Sequence, residues 1–158
     1  MISDDALLHY YERTTCSPQW LEFNRAMAAE LGAGLPPAEL RALFFRIGER
    51  VAQTLPVARC DTLEELQAAF NARWEPIGWG LAALQDQGEH LQITHACSPL
   101  SIAFGEHAVA DWAVGFLEGA YQAWFAAQGV PPTLSVRAVA PHPPTQRQVL
   151  LRLGKDHA

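Results

Sequence analysis

The chain has 158 residues, of which 49% are hydrophobic and 18% charged, a composition typical of one soluble globular domain with its own core. Its formal net charge is −6, its pI is about 5.4, and its eleven Lys and Arg residues are scattered singly. This balance excludes the basic patch that a nucleic-acid-binding protein needs. No apolar run approaches the ~18 residues of a membrane span, and the first residues lack a signal-peptide pattern. We therefore expect a cytoplasmic protein that does not span the membrane.

Helix start and stop signals dominate the first third of the chain. Ser17 followed by Pro18 is typical of a helix N-terminus, and Gly32 is predicted to end that helix. Its apolar positions predict one buried face; they are Trp20, Leu21, Met27, Ala28 and Leu31. The prolines at 36–37 then open a second helix whose apolar residues recur every three or four positions.

A capping box predicts the start of a third helix. The hydroxyl of Thr62 can accept a hydrogen bond from the N–H of Glu65, and an apolar stripe follows until Pro76 stops the helix. Beyond it, WGLAALQDQGEHLQITHA predicts two strands around a turn at 87–88. A loop at 97–107 leads into a long helix, and two alternating segments, TLSVRAVA and RQVLLRL, predict two more strands.

This order of elements predicts an α+β fold. It consists of N-terminal helices, a small four-stranded antiparallel sheet and one long buried helix. Because neither an internal repeat nor a low-complexity linker interrupts the pattern, we interpret 1–158 as a single domain with an N-terminal helical segment at 1–35.

The long helix, predicted from Ala108 to Gln128, carries the stretch DWAVGFLEGAYQAWF. Its apolar side chains cover about half of the circumference, more than the ~100° arc that a surface helix needs. Asp111 and Glu118, with Gln122, are predicted to form a polar edge, which rules out a lipid-facing span. Two helical glycines four residues apart, each costing about 1 kcal/mol relative to alanine, indicate that another backbone approaches closely.

Three interpretations of this helix remain open. It is the core of a monomer, or a core on one side with an oligomer interface on the other, or an aromatic stripe lining a ligand. The phasing of the aromatic side chains with the core argues against the third. The residues that the interface or packing interpretation singles out are Gly115, Gly119, Trp112, Tyr121 and Trp124.

Residues suited to catalysis are few. His95 and Cys97 lie two apart on a predicted strand, so we expect their side chains on one face, as in a Cys–His nucleophile pair or half of a metal site. No third ligand or orienting residue stands at a recognisable spacing, and the alternative is a buried thiol near a hydrogen-bonded histidine. Glu64 and Glu65 are explained by helix capping. The sequence therefore predicts no enzyme, no metal site and no cofactor.

Three motifs resemble one family closely. They are IGWG at 77–80, LQITH at 91–95 and FLEGAYQAW at 116–124. In this order and at this separation they resemble the family of the bacterial cellulose synthase D subunit, the small accessory proteins of cellulose-producing operons. The resemblance runs from about Leu40 to Leu153.

The resemblance implies a non-enzymatic protein that assembles into a ring-like homo-octamer, a tetramer of dimers. It implies a role in the bundling and crystallisation of β-1,4-glucan, together with other cellulose synthase subunits and a proline-rich accessory partner. One picture is a cytoplasmic scaffold that organises synthase complexes near the inner membrane. In the alternative the octamer guides glucan chains through its passages during export, which would place it in the periplasm.

The resemblance also implies roles for individual residues. Gly78, Trp79 and Gly80 belong to a matched motif and are expected to serve tight turns or packing. Candidate glucan contacts lie in the N-terminal region, where the family lines its passages; they are Tyr10, Tyr11 and Trp20. The alternative is that Trp20 packs beneath its own helix.

Overall fold

The computed structural model describes residues 4–5, 15–139 and 148–156. Within them the chain forms an α+β fold, which confirms the predicted class. The helices are α1 (Pro18–Gly34), α2 (Pro37–Thr54), α3 (Leu63–Trp74), α4 (Leu100–Phe104), α5 (Glu106–Ala108) and α6 (Gly115–Ala127). The strands are β1 (Leu81–Asp86), β2 (Leu91–Ala96), β3 (Leu134–Ala138) and β4 (Gln148–Lys155). A 3-10 turn (Glu75–Ile77) follows α3, and a π-helical turn (Val109–Ala113) joins α5 to α6.

The first helix begins where the sequence predicts and ends later. Ser17 is the extended N-cap and Pro18 the first helical residue. The helix continues past Gly32 to Gly34, so it ends three residues later than predicted. Leu35 is extended, with φ −129° and ψ 146°, because the ring of the following proline disfavours the helical conformation of its predecessor.

The capping signals of α3 are confirmed with one difference in detail. The Thr62 hydroxyl accepts from the backbone N–H of Glu65 at 3.1 Å. The Glu65 carboxylate reaches back to the N–H of Asp61 at 3.0 Å, one residue before the position that a capping box predicts. The helix ends at Trp74, and Pro76 lies in the 3-10 turn that follows.

The predicted long helix is interrupted. Its first part is α5 and the π-helical turn, and α6 then runs to Ala127. Helix α6 ends because Gly129 has a φ of 91°, a conformation that suits glycine. The N–H of Gly129 donates to the carbonyl of Ala126 at 3.0 Å, and the N–H of Val130 donates to the carbonyl of Phe125 at 3.1 Å. The segment predicted as a loop at 97–107 contains the short helix α4 and the start of α5.

The four strands form one antiparallel sheet, as predicted, and the structure gives their order as β1-β2-β4-β3. The hairpin registers Leu84 with Ile93, and β4 then continues the row through Leu151. Ile93, Leu151 and Val136 are completely buried, whereas their sequence neighbours on the other face are partly or largely exposed. The inner face therefore packs on the helices, and β1 and β3 are the two edge strands.

Aromatic side chains from α3 and α6 fill the centre of the core. Phe70 stacks on Trp124 with ring centroids 5.0 Å apart, and Trp74 meets Trp124 edge-on at 4.8 Å. Tyr121 and Phe125 close the same cluster from α6 and are completely or almost completely buried. This packing ties the third helix of the N-terminal half to the C-terminal half of the chain.

Candidate functional site

The structure separates the two residues of the proposed Cys–His pair. His95 lies on β2 and is completely buried. Cys97 lies just beyond the end of β2 with φ 59°, and its thiol side chain is exposed. The expectation that the two side chains share a face is wrong, because this left-handed residue breaks the alternation of the strand.

Both ring nitrogens of His95 already have hydrogen-bond partners. Nε2 lies 2.7 Å from the carbonyl oxygen of Trp79, and Nδ1 lies 2.6 Å from the hydroxyl of Tyr121. Because a carbonyl oxygen can only accept, Nε2 carries the proton and Nδ1 accepts from the Tyr121 hydroxyl. That hydroxyl in turn accepts from Nε1 of Trp74 at 3.1 Å. The network is satisfied at every polar atom and connects α3, β2 and α6.

Burial keeps this network neutral. Desolvation lowers the pKa of His95 to about 4, although the bond to the Trp79 carbonyl opposes the shift. Burial also raises the pKa of Tyr121 far above its ordinary value. The imidazole neither meets a nucleophile nor faces solvent, so the arrangement suits a structural polar network and not a general base.

The motif at 77–80 forms the turn that delivers the Trp79 carbonyl to this network. Gly78 has φ 70° and Gly80 has φ 99°, both in the region that favours glycine. A β-carbon on Gly80 would also overlap the carbonyl oxygen of Ala96. The ring of Trp79 packs on Phe116 at 4.5 Å. The two glycines therefore permit a turn that places a half-buried aromatic residue against the core.

The close backbone approach that the helical glycines indicate occurs within the chain. A β-carbon on Gly119 would overlap the carbonyl oxygen of Phe45, and one on Gly115 would lie 2.5 Å from the carbonyl oxygen of Arg41. Gly48 of α2 lies in the same way against the backbone of Phe116. Three glycines thus let α2 and α6 cross with their backbones in contact.

The five residues proposed for an interface or for packing are all buried in the single chain. They are Gly115, Gly119, Trp112, Tyr121 and Trp124, none more than slightly exposed. The Trp124 indole N–H donates to the carbonyl of Leu55 at 3.0 Å, at the end of α2. Within the single chain these five residues therefore serve packing between its own elements.

The residues of the expected polar edge differ in burial: Asp111 is exposed, Gln122 is half-buried and Glu118 is buried. Glu118 is 1% exposed, and its two carboxylate oxygens accept from Nε and Nη2 of Arg41 at 2.7 and 2.9 Å. The backbone N–H of Ala138 donates to the same carboxylate at 2.9 Å. This bonding raises the pKa of Arg41, while its partial burial opposes the shift. A bidentate ion pair therefore joins α2, α6 and β3.

Trp20, the described member of the glucan-contact set, is exposed. Its exposed fraction is 54%, that of Phe23 is 58%, and the two rings meet edge-on at 5.6 Å. Both the predicted buried position of Trp20 and the alternative of packing beneath its own helix are wrong, since α1 buries Ala28 and turns these rings to solvent. Tyr10 and Tyr11 lie outside the described residues.

The described residues contain no group of three His, Cys, Asp or Glu side chains that could hold a metal ion. None of the described helices is long and apolar enough to cross a bilayer.

The family model for the D subunit of cellulose synthase matches residues 6–154. The chain belongs to the cellulose synthase D-subunit family. The match includes most of the N-terminal segment and the 97–107 loop, which the sequence motifs alone do not cover.

Two solved structures are similar to the chain at low sequence identity. A trafficking protein particle complex subunit 3 from Naegleria fowleri, covalently bound to palmitic acid, has a TM-score of 0.56 at 9% identity, covering 95% of this chain and 97% of that chain. A vinyl-4-reductase family protein from Methanocaldococcus jannaschii has a TM-score of 0.47 at 13% identity, covering 99% and 98%. The first of these shows a shared fold and nothing further. No curated protein sequence matches the chain significantly.

In this member of the cellulose synthase D-subunit family, helix side chains cover both edges of the sheet. Asn71 exchanges two hydrogen bonds with the backbone of Ala82, at 2.6 and 2.9 Å, and Gln67 accepts from the N–H of Leu84 at 2.8 Å. At the other edge, Gln122 accepts from the N–H of Val136 at 2.8 Å. Sequence reasoning missed these contacts. The sequence signal that could have predicted these contacts is a pair of polar residues four positions apart on the sheet side of a helix: Gln67 and Asn71 on α3, and Glu118 and Gln122 on α6.

Proposed function

We propose that this protein is a non-catalytic, oligomeric accessory subunit of bacterial cellulose biosynthesis. It acts as a scaffold that organises synthase complexes and the bundling of β-1,4-glucan chains into crystalline cellulose. The observation that carries the proposal is the match of one family model to residues 6–154, nearly the whole chain.

The absence of a catalytic role is supported by the buried polar network. The groups with the largest pKa shifts, His95 and Tyr121, are bonded to each other and enclosed by the core. Perturbed groups at a catalytic centre lie in a cleft where a substrate can reach them. Here burial is the main cause of both shifts.

Assembly into a ring-like homo-octamer, a tetramer of dimers, is part of the same proposal. The covered edges of the sheet disfavour assembly by strand addition. Helix α1 suits a contact between copies better, because only one of its 17 residues is buried and it exposes Trp20 and Phe23. Exposed aromatic residues of this size are enriched at protein interfaces.

The alternative within the same pathway is a guide that passes glucan chains through the octamer. Trp20, with Tyr10 and Tyr11, would then contact glucan. The edge-on geometry of Trp20 and Phe23, with an interplanar angle of 87°, favours a protein contact, since two perpendicular rings cannot both stack on one flat sugar chain. The further partners we propose are other cellulose synthase subunits and a proline-rich accessory protein, on the cytoplasmic face of the inner membrane.

A complementation experiment tests this function. Cells lacking the chain receive the wild-type gene or a Trp20→Ser, Phe23→Ser double variant, and the cellulose yield and crystalline fraction are measured by weight and X-ray diffraction. We expect the wild type to restore order in the cellulose and the variant to restore it poorly, with equal protein levels. Full restoration by Cys97→Ser would be consistent with the scaffold, whereas loss of all activity with that variant would contradict it.

A further inference from the structure

A cavity of about 540 Å³ lies where α1, α2, the α4–α5 segment and one end of the sheet meet. Its size falls within the range of pockets that hold small organic ligands. Most of its walls are aliphatic and come from different elements: Leu100 and Ile102 from α4, Val109 from the π-helical turn, Val114, and Val149 from β4. Neither the buried polar network nor the glycine crossing uses this space.

Two arginines supply hydrogen-bond donors to the cavity. Arg41 lines it while Glu118 fixes two of its guanidinium nitrogens, so the group is held in place before any ligand arrives. Arg25 lines it from α1 and donates through Nε to the carbonyl of Ile102 at 3.3 Å. Nη1 of Arg41 and both Nη atoms of Arg25 make no hydrogen bond with the described residues that would occupy them. The carboxylate of Glu106, also in the lining, is exposed.

The backbone is irregular along the same wall. Gly105 has φ 95° and ψ 152°, a conformation that essentially only glycine adopts, although no neighbour within 4 Å would crowd a β-carbon there. The π-helical turn that follows presents Val109 and Ala110 to the cavity. Irregular turns of this kind reduce helix stability and occur often at functional sites. The cavity, the guanidinium group of Arg41 and the irregular backbone at Gly105 and the π-helical turn thus lie at the same place in the fold.

We propose that this cavity binds an amphiphilic anion, with its acidic group on Arg41 and Arg25 and its aliphatic body against Leu100, Val109 and Val149. The charges of Arg25, Arg41, Glu106 and Glu118 sum to zero, so recognition comes from oriented N–H donors and not from net charge. Guanidinium groups bind carboxylate and phosphate oxygens through paired, charge-assisted hydrogen bonds. None of the described lining residues is aromatic, which disfavours a glucan chain.

Isothermal titration of the full chain with matched probes tests the proposal. Octanoate and octyl phosphate carry both features, 1-octanol lacks the acid, and acetate and inorganic phosphate lack the tail. We expect each chain to bind one octanoate or one octyl phosphate saturably, with an affinity at least tenfold higher than for 1-octanol. We expect no binding of acetate or inorganic phosphate. Preference for one of the two acidic probes identifies the head group as a carboxylate or a phosphate.

Two variants make the location testable. Arg25→Gln should weaken the acidic probes about tenfold and leave 1-octanol unchanged, since Arg25 is exposed and the change removes only its cationic group. Ala110→Phe should fill the cavity and remove binding of all probes, whereas Ala72→Phe, on the exposed side of α3, should not. Wild-type affinity in both Arg25→Gln and Ala110→Phe, no saturable binding, or equal affinity for octanol and octanoate would overturn the proposal. Because these readouts do not depend on cellulose or on oligomer size, they separate it from the proposed function.

Discussion

Gly119 lies so close to Phe45 that a β-carbon at position 119 would overlap the carbonyl oxygen of residue 45. The contact joins backbone to backbone across the crossing of α2 and α6, and Gly48 and Gly115 repeat it on either side. Backbone atoms cannot move aside as the end of a side chain can. The distance between these two helices is therefore fixed by the absence of three side chains.

Substitution of Gly119 by alanine should destabilise the fold by about 1–3 kcal/mol or more, because the added methyl group must push the helices apart. Thermal and urea unfolding of the purified chain measure this. Gly32→Ala is the matched control, since nothing lies within 4 Å of its β-carbon position and alanine favours a helix by about 1 kcal/mol. Equal melting temperatures for wild type and Gly119→Ala would contradict the backbone contact.

Replacement of Glu118 by alanine should lower the free energy of unfolding by about 3–5 kcal/mol, the range for breaking a buried ion pair. The loss should lie at the lower end of this range or somewhat below it, because the Arg41 side chain is 36% exposed. Arg41 and the N–H of Ala138 would lose their acceptor. The control is Arg137→Gln, which removes a pair with Asp156 whose side chains are both more than half exposed at 3.9 Å. That change should alter the free energy of unfolding by less than about 1 kcal/mol. A Glu118 variant as mild as the control would rule out this role of the carboxylate.

The pKa of His95 predicts a loss of stability in acid. Its folded value is about 4, below the ordinary value of 6.5, so between these values the unfolded chain binds a proton that the folded chain excludes. The free energy of unfolding should therefore be highest above pH 6.5 and fall by roughly 3 kcal/mol as the pH drops to about 4. Urea unfolding at several pH values tests this. His95→Gln should reduce the slope in this window while the exposed-histidine variant His107→Gln keeps it; an identical slope in His95→Gln would refute the assignment.

The covered edge of the sheet yields another prediction. Gln122→Leu should destabilise the chain by about 1–3 kcal/mol, because the N–H of the buried Val136 and the carbonyl of Leu134 lose their partner. The exposed edge should also raise aggregation on heating, measured by light scattering. Gln53→Leu, an exposed change on α2, should stay within about 0.5 kcal/mol. No difference between the two variants would show that the glutamine does not protect the edge.

Signals between sequence neighbours predicted where helices and strands begin and end. Which of their residues are buried, and against what, depends on contacts between residues far apart in the sequence. The cap at Thr62 and the stop near Pro76 depend on neighbours in sequence, and both are present. The hairpin predicted around 87–88 is also present, but its loop is longer and spans 87–90, because Asp86 pairs with Leu91. The helical glycines predicted a close backbone but could not name it, because that backbone belongs to α2, far earlier in the chain. Glu118 was expected on a polar edge, and its buried ion pair was not predicted because its partner Arg41 is 77 positions away.

Burial of α1 and the shape of the cavity lay beyond sequence patterns. Helical periodicity predicted that Trp20 faces the core, but it cannot tell whether a packing layer exists beneath that face. The π-helical turn at 109–113 leaves the spacing of apolar residues nearly unchanged, so nothing in the sequence indicated it. The position of Cys97 relative to His95 depended on one left-handed residue at the end of β2, where strand alternation no longer applies.

Whether this protein is an oligomeric scaffold can be decided by multi-angle light scattering of the purified chain at micromolar concentration. We expect a stable species of about eight chains, each of 17.4 kDa. A stable species with the 17.4 kDa mass of one chain would contradict the proposed scaffold.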